Sequence, residues 1–120
     1  MIRFINCFRR RADVSPEEFR RHWSDPQFAA LVERIVKATG AKRSTRNLSL
    51  QLPDINERLM QERGQEEPFD AVLEYWWDNA RDLMAALGSP EGEKLLAEMR
   101  RLQESFVDFP RSRAFFTEAN

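Results

Sequence analysis

Three side chains of this sequence have the chemistry to move a proton between carbon and oxygen near neutral pH: Glu74, Asp70 and His22. A carboxylate beside an indole and shielded from water, the situation expected of Glu74 if its face beside Trp76 is enclosed, would serve as a general acid or base. A histidine titrates there without help. An arginine opposes this use. If Arg3 or Arg9 shares a face with Glu74, the ion pair holds the carboxylate ionised as a structural element. Asp70 and Glu74 sit in the alternating stretch Phe69-Asp70-Ala71-Val72-Leu73-Glu74-Tyr75-Trp76-Trp77. Successive side chains of a strand point to opposite faces, so Asp70, Val72, Glu74 and Trp76 are separated from Phe69, Ala71, Leu73, Tyr75 and Trp77. The second set reads as a core face packed on helices. The first suits a polar-lined cavity or an interface, because an unpaired charge in an apolar core costs several kcal/mol; its plainer reading is two carboxylates facing water.

Other chemistries find fewer residues. One His and the lone Cys7 leave a transition-metal site short of ligands, so no metal or other cofactor is expected. A lone cysteine forms no internal disulfide, and the chain reads as cytoplasmic. No apolar run reaches the ~18–20 residues of a membrane span, and Met1-Ile2-Arg3-Phe4 opens a strand rather than a signal peptide. The net charge is −1, but residues 1–46 carry about +6 and residues 47–120 about −7. Those halves either pack on each other within one fold or meet across two copies. A nucleic-acid site on Arg9-Arg10-Arg11, Arg20-Arg21 and Lys42-Arg43 lacks interleaved aromatics, and neither nucleic acid nor membrane is the expected partner.

The elements that position these groups are punctuated clearly. Residues 2–9 form a first strand with Ile2, Phe4, Asn6 and Phe8 on one face. Asn6 there is either a buried, hydrogen-bonded amide or a substrate-orienting group. Ser15-Pro16-Glu17-Glu18 starts a helix as a capping box, with Val14 and Phe19 as its staple and Phe19 and Trp23 on one apolar face. Asp25-Pro26 breaks it and caps a second segment whose stripe, Phe28, Leu31, Val32 and Ile35, ends before Gly40. Residues 41–51 read as an edge strand. Pro53 through Pro68 reads as the main loop, long enough to be a candidate lid. After the strand at 69–77, Asp78 is expected to cap a helix that Gly88 ends and Ser89-Pro90-Glu91 restarts. Leu95, Leu96, Met99, Leu102 and Phe106 carry its stripe to a final strand entered through Pro110. A chain of 120 residues makes one domain, 1–120. The order is βαββαβ: an α+β, ferredoxin-like fold, a four-stranded antiparallel sheet with helices on one face. Its other face, with Trp76 and Val72, wants a cover, and a second copy is the economical one.

The opening strand running into Arg9-Arg10, Val14-Ser15-Pro16-Glu17-Glu18-Phe19 with Trp23 four positions on, the stretch from Pro68 to Asp78, the break at 85–92 and Phe106-Val107-Asp108-Phe109 together resemble the EthD-like family of dimeric α+β barrel proteins. The resemblance covers nearly the whole chain. It implies a homodimer whose sheets face each other, with a small-molecule cavity between sheet and helices or at the interface. It also implies a role in catabolism or polyketide and aromatic tailoring. One position departs: Gln27 stands where family members commonly place a His, and an amide orients a substrate but does not shuttle a proton.

Two functions follow. One is a cofactor-independent enzyme of proton transfer, dehydration, cyclisation or decarboxylation, with Glu74 or His22 as acid–base group. Asn6, Trp23, Gln27, Phe28, Asp70, Val72 and Trp76 would then bind the substrate, with Tyr75 also shaping the pocket. The other is a non-catalytic dimeric protein holding a hydrophobic or aromatic metabolite in the same cavity. A cavity containing both Glu74 and His22 favours the first; Glu74 locked to an arginine and His22 in solvent count against it.

Overall fold

The computed structural model describes residues 1–119. Strands β1 (Ile2–Phe8), β2 (Arg43–Leu48), β3 (Ala71–Trp77) and β4 (Arg113–Glu118) form one sheet in the order β2-β3-β1-β4, every pair antiparallel. Helices α1 (Pro16–Trp23) and α2 (Pro26–Thr39) connect β1 to β2, and α4 (Ala80–Leu87) and α5 (Pro90–Gln103) connect β3 to β4. This is the ferredoxin-like α+β arrangement that the βαββαβ order predicts.

The local signals act as read at most boundaries. Ser15 Oγ accepts from the Glu18 amide at 3.1 Å, Asp25 Oδ1 from the Gln27 amide at 2.8 Å and Ser89 Oγ from the Gly92 amide at 3.0 Å. A proline occupies the first turn of each helix these residues cap. Gly40 ends α2 at φ 70, a left-handed conformation that a side chain would strain. The entry to β4 is a 3₁₀ turn, Phe109–Arg111.

Two boundaries differ from expectation. Asn79, not Asp78, caps α4, accepting from the Asp82 amide at 2.9 Å, while Asp78 pairs with Lys42 at 3.6 Å. Most of residues 53–68 is not a loop: Pro53–Arg63 is an 11-residue helix, α3, ended by Gly64 at φ 62, and only 64–68 are irregular. Its start and stop residues were present in the sequence. With no buried residue and no side-chain cap, however, it lacks the apolar stripe by which helices are recognised.

The sheet's two faces follow the alternation. Phe8, Ala71, Leu73, Tyr75 and Trp77 are buried on the helix-covered face, in a core with Phe19, Trp23, Phe28, Ile35, Leu95, Met99 and Phe106. On the other face the register sets Thr117, Arg3, Trp76 and Arg43 in one row across four strands, with Phe115, Ile5, Glu74 and Thr45 in the next. Among the described residues no element covers that face, and Phe115 on it is half exposed. The charge asymmetry is met within one copy. Among the described residues, Arg3–Glu74, Arg9–Glu66, Arg10–Asp70, Arg34–Glu98 and Lys42–Asp78 all join the basic first half to the acidic second. Among the described residues no helix is long and apolar enough to cross a membrane.

Candidate functional site

A cavity of about 410 Å³ opens between the helix-covered face of the sheet and α5. Phe4, Phe8, Leu73, Leu96, Met99 and Phe109 form apolar walls, and Asn6, Tyr75 and Gln103 bring polar groups to them. Each of these three interrupts an apolar series on its own element. Asn6 belongs to the Ile2, Phe4, Phe8 face of β1, and Tyr75 sits between Leu73 and Trp77 on β3. Gln103 follows Leu95 and Met99 at four-residue steps on α5. The fold therefore carries three polar side chains into one cavity because three core faces each substitute one residue.

Their hydrogen bonding is incomplete. Asn6 Nδ2 donates to the Leu73 carbonyl at 3.2 Å, which anchors the amide across the β1–β3 ladder. The Tyr75 hydroxyl and Gln103 Nε2 are buried with no partner. Buried polar atoms are almost always paired, so an orphan at a cavity wall takes its partner from water or a ligand in the cavity; Arg3 Nε, Thr45 Oγ1, Trp76 Nε1 and Thr117 Oγ1, in two rows of the uncovered face, are likewise without a partner. Burial pushes the Tyr75 phenol well above its usual value, against a smaller opposing pull from Arg46, so it stays protonated and can donate. Arg100 and Arg113 also line the cavity, Arg100 exposed with its guanidinium 4.7 Å over the Phe109 ring. No carboxylate or imidazole does.

Such a cavity has apolar walls of a kind that suits a ring, with neutral polar groups of three elements in its lining. Donors already in place where negative charge develops stabilise an enolate, phenolate or tetrahedral oxyanion without reorganising.

The expected site residues are dispersed by this geometry. Asn6 lines the cavity and is half-buried with its amide bonded to the Leu73 carbonyl, the first of its two expected roles. Glu74 is on the uncovered face, 3.7 Å from Arg3, and the expected convergence of Glu74 with His22 does not occur. His22 lies in the helix layer, exposed and stacked on Phe106 with ring centroids 4.7 Å apart. Val72 and Trp76 share the face of Glu74. The Trp76 indole is flanked by the guanidinium groups of Arg3 and Arg43, at 4.8 and 4.6 Å. Asp70 is a structural clamp: its Oδ2 accepts from the Arg10 amide at 2.8 Å and its Oδ1 lies 3.7 Å from Arg10 Nε. Trp23 and Phe28 are core residues packed edge to face at 4.8 Å, and Gln27 is exposed on α2. None of these lines the cavity, nor does any residue of α3, the expected lid. For Val72, Glu74 and Trp76 the physical reason is shared. The partly polar face of β3, which looked cavity-like, has no layer over it in one chain, so the enclosed space lies under α5 instead. Gln103 was legible as a polar break in the α5 stripe but was passed over in favour of charged groups.

Cys7 shares the uncovered face, and burial, with Glu74 adding to it, raises its thiol pKa. Among the described residues no group of His, Cys, Asp and Glu is arranged to hold a metal ion.

Over residues 11–109 the sequence matches the EthD domain. The chain belongs to the EthD family. The match includes α5 and the turn after it but not β1 or β4, so Asn6 and the β4 wall of the cavity lie outside it. No protein of curated function matches the sequence. Solved structures agree in fold. A dimeric protein of unknown function with a ferredoxin-like fold from Bacteroides fragilis is similar at 16% identity over 98% of this chain and 95% of that one, with a TM-score of 0.63. An ethyl tert-butyl ether D (EthD) family protein from Bacillus halodurans is similar at 15% identity over the whole of both chains, with a TM-score of 0.62. SnoaB, a cofactor-independent oxygenase from Streptomyces nogalater, shares 16% identity over 99% of this chain and 92% of that one, with a TM-score of 0.58. At such identities the likeness is one of fold.

Proposed function

We propose that this EthD-family protein binds a small, mostly apolar molecule bearing a carbonyl or phenolic oxygen in the cavity between its sheet and α5. Glu74 paired with Arg3 and His22 exposed on α1 count against acid–base catalysis by either, so this reading is of a cofactor-independent enzyme that works through the cavity's own donors, in the cytoplasm and as a homodimer. The observation that carries the reading is the pair of buried, unpartnered donors, Tyr75 O–H and Gln103 Nε2, on an otherwise apolar wall. Proton transfer next to a carbonyl, dehydration, cyclisation and decarboxylation all pass through an oxyanion that two such donors stabilise. With no carboxylate or imidazole in the lining, the proton acceptor in this reading is water or a group of the substrate.

That same lining favours a second reading, a binding protein that holds an aromatic metabolite without changing it. The homodimer is supported by the uncovered sheet face, where Ile5, Val72, Trp76 and Phe115 await a cover. The dimeric state of the Bacteroides protein of the same fold is consistent with it.

Titration with a panel of aromatic ketones, phenols and polyketide-like compounds tests the site, using Leu96→Trp to fill the cavity. Binding that is lost in this variant supports the cavity; binding unchanged by it removes the cavity from consideration. Once a turned-over compound is found, Gln103→Leu separates the two functions. A fall in kcat of about 10²-fold with binding retained marks an oxyanion donor. Equal losses in binding and turnover mark a binding contact. A sedimentation mass near one chain at micromolar concentration sinks the dimer.

A further inference from the structure

We infer that the uncovered face of the sheet is an oxyanion site: Arg3 and Arg43, on either side of Trp76, take a phosphate group, free or as a monoester, and that phosphate is the counter-ion with which a second copy covers the face. The second part rests on the homodimer proposed above; the first does not.

The face is one-sided in charge. Its two rows described above and the next, from Arg113 on β4 to Asn47 on β2, carry three arginines and one carboxylate, a net +2. Its hydrogen-bonding groups are one-sided too. Arg3 Nε and Trp76 Nε1, which can only donate, and the hydroxyls of Thr45 and Thr117 are buried without a partner. Among the described residues Arg43 belongs to no ion pair; the seven pairs present use other groups. Its guanidinium lies 4.6 Å over the Trp76 ring, and that of Arg3, from the strand on the other side of β3, lies 4.8 Å over the same ring. The carboxylates nearby are engaged. Glu74 lies 3.7 Å from Arg3, and Asp78, two residues past Trp76, pairs with Lys42 at 3.6 Å.

A face of donors needs acceptors. An apolar cover leaves the charge and the four unpaired groups unmet, at a cost that buried polar groups always carry. A second copy by itself brings the same donors and doubles the positive charge between the facing sheets. An amine or a metal cation adds to that charge. A phosphate group supplies what is missing, about −1.5 to −2 of charge on oxygens that accept, and guanidinium groups pair with it well. On binding, Arg3 and Arg43 turn the free edges of their guanidinium groups to the phosphate. Arg43, exposed and held by no carboxylate, shifts aside so that the indole N–H of Trp76 donates to it as well.

Calorimetric titration of the full chain with inorganic phosphate and with phenyl phosphate, in chloride buffer of fixed ionic strength, tests the site. A Kd on the order of 1 mM or tighter is expected. Arg43→Gln should weaken it about tenfold, and Trp76→Phe, which keeps a ring and removes its donor, about threefold. Arg46→Gln makes the same charge change on the other face of β2 and should leave binding within about twofold. Phenyl phosphate binding more tightly than phosphate supports a site for monoesters, and equal binding supports a site for the free ion. No binding of either probe to the wild-type chain, or equal weakening by Arg43→Gln and Arg46→Gln, would overturn the site. Sedimentation equilibrium tests the counter-ion. Phosphate at about ten times its Kd should strengthen the dimer about tenfold over chloride of the same ionic strength, and Arg43→Gln should lose that dependence. A dimer equally tight in both salts would overturn the counter-ion role and leave the dimer standing. A single chain in both salts would overturn the dimer and the counter-ion role together, with the calorimetry deciding the site.

Discussion

Replacing Tyr75 by Phe removes one oxygen atom and keeps the ring, and the structure assigns the two properties of that oxygen opposite signs. The residue is 3% exposed and its hydroxyl has no partner. An unsatisfied buried polar group costs about 1–3 kcal/mol of stability. Deleting it is therefore expected to stabilise the ligand-free protein by about 1–2 kcal/mol, a rise in Tm of roughly 3–6 °C for a chain of this length. Most core substitutions act the other way. Alkaline pH supplies a second readout. The folded-state pKa of Tyr75 is raised above the ordinary value of 10.0, so the folded chain keeps a proton that the unfolded chain gives up. Stability is then fully present below about pH 10 and lost above it, at up to ~1.4 kcal/mol per pH unit until the folded phenol also ionises. Because Tyr75 is the only tyrosine, the Phe variant lacks this component altogether, and the difference between the two proteins isolates it. Urea unfolding of both proteins between pH 7 and 11 measures both effects. A loss of more than about 1 kcal/mol at pH 7, or parallel curves from pH 9 to 11, would refute the assignment of an orphaned buried hydroxyl. The same variant should weaken the bound ligand or its turnover, since the hydroxyl is kept unpaired at a stability cost.

The remaining predictions concern groups that the cavity leaves out and the packing that builds it. Glu74→Gln leaves Arg3 without its carboxylate on a partly buried face, and should cost about 1 kcal/mol in denaturant unfolding while turnover of any cavity substrate stays within about twofold. A larger loss of turnover would return Glu74 to the chemistry. His22→Ala removes an exposed ring stacked on Phe106 and should change stability by under about 1 kcal/mol, with the pH profile of activity unmoved. Gly92→Ala would place a Cβ 2.6 Å from Ser89 Oγ and 2.7 Å from the Ala86 carbonyl, where α4 meets the start of α5. It should cost about 1–3 kcal/mol by calorimetry, and a variant as stable as the parent would show that this junction yields.

Legibility in this chain follows the range of the interaction. Ser15, Asp25 and Ser89 act on amides two or three residues away, so their roles can be read from neighbours alone. Asp78, expected from the sequence as the cap, and its neighbour Asn79 are residue types that cap equally well, and only the backbone's turn decides which side-chain oxygen faces the free amides. The α3 helix was missed because a helix that buries nothing has no stripe to detect. The site was harder to read for a different reason. Asn6 and Tyr75 are legible as pocket residues, but Gln103 joins them only through the way α5 lies over the sheet, and Glu74 and His22, the titratable groups, lie elsewhere.

By itself the sequence determined the order of elements, most of their ends, the ferredoxin-like class, and that Glu74 and Tyr75 lie on opposite faces of one strand. These rest on strand alternation and on capping within one turn, both of them local. Tertiary structure alone decided which face is enclosed, that Arg3 reaches Glu74, that His22 ends in solvent against Phe106, and that Asn6, Tyr75 and Gln103 meet. Those outcomes depend on strand order and on how α5 lies over the sheet. They bring together residues from opposite ends of the chain, and no short-range pattern carries that information.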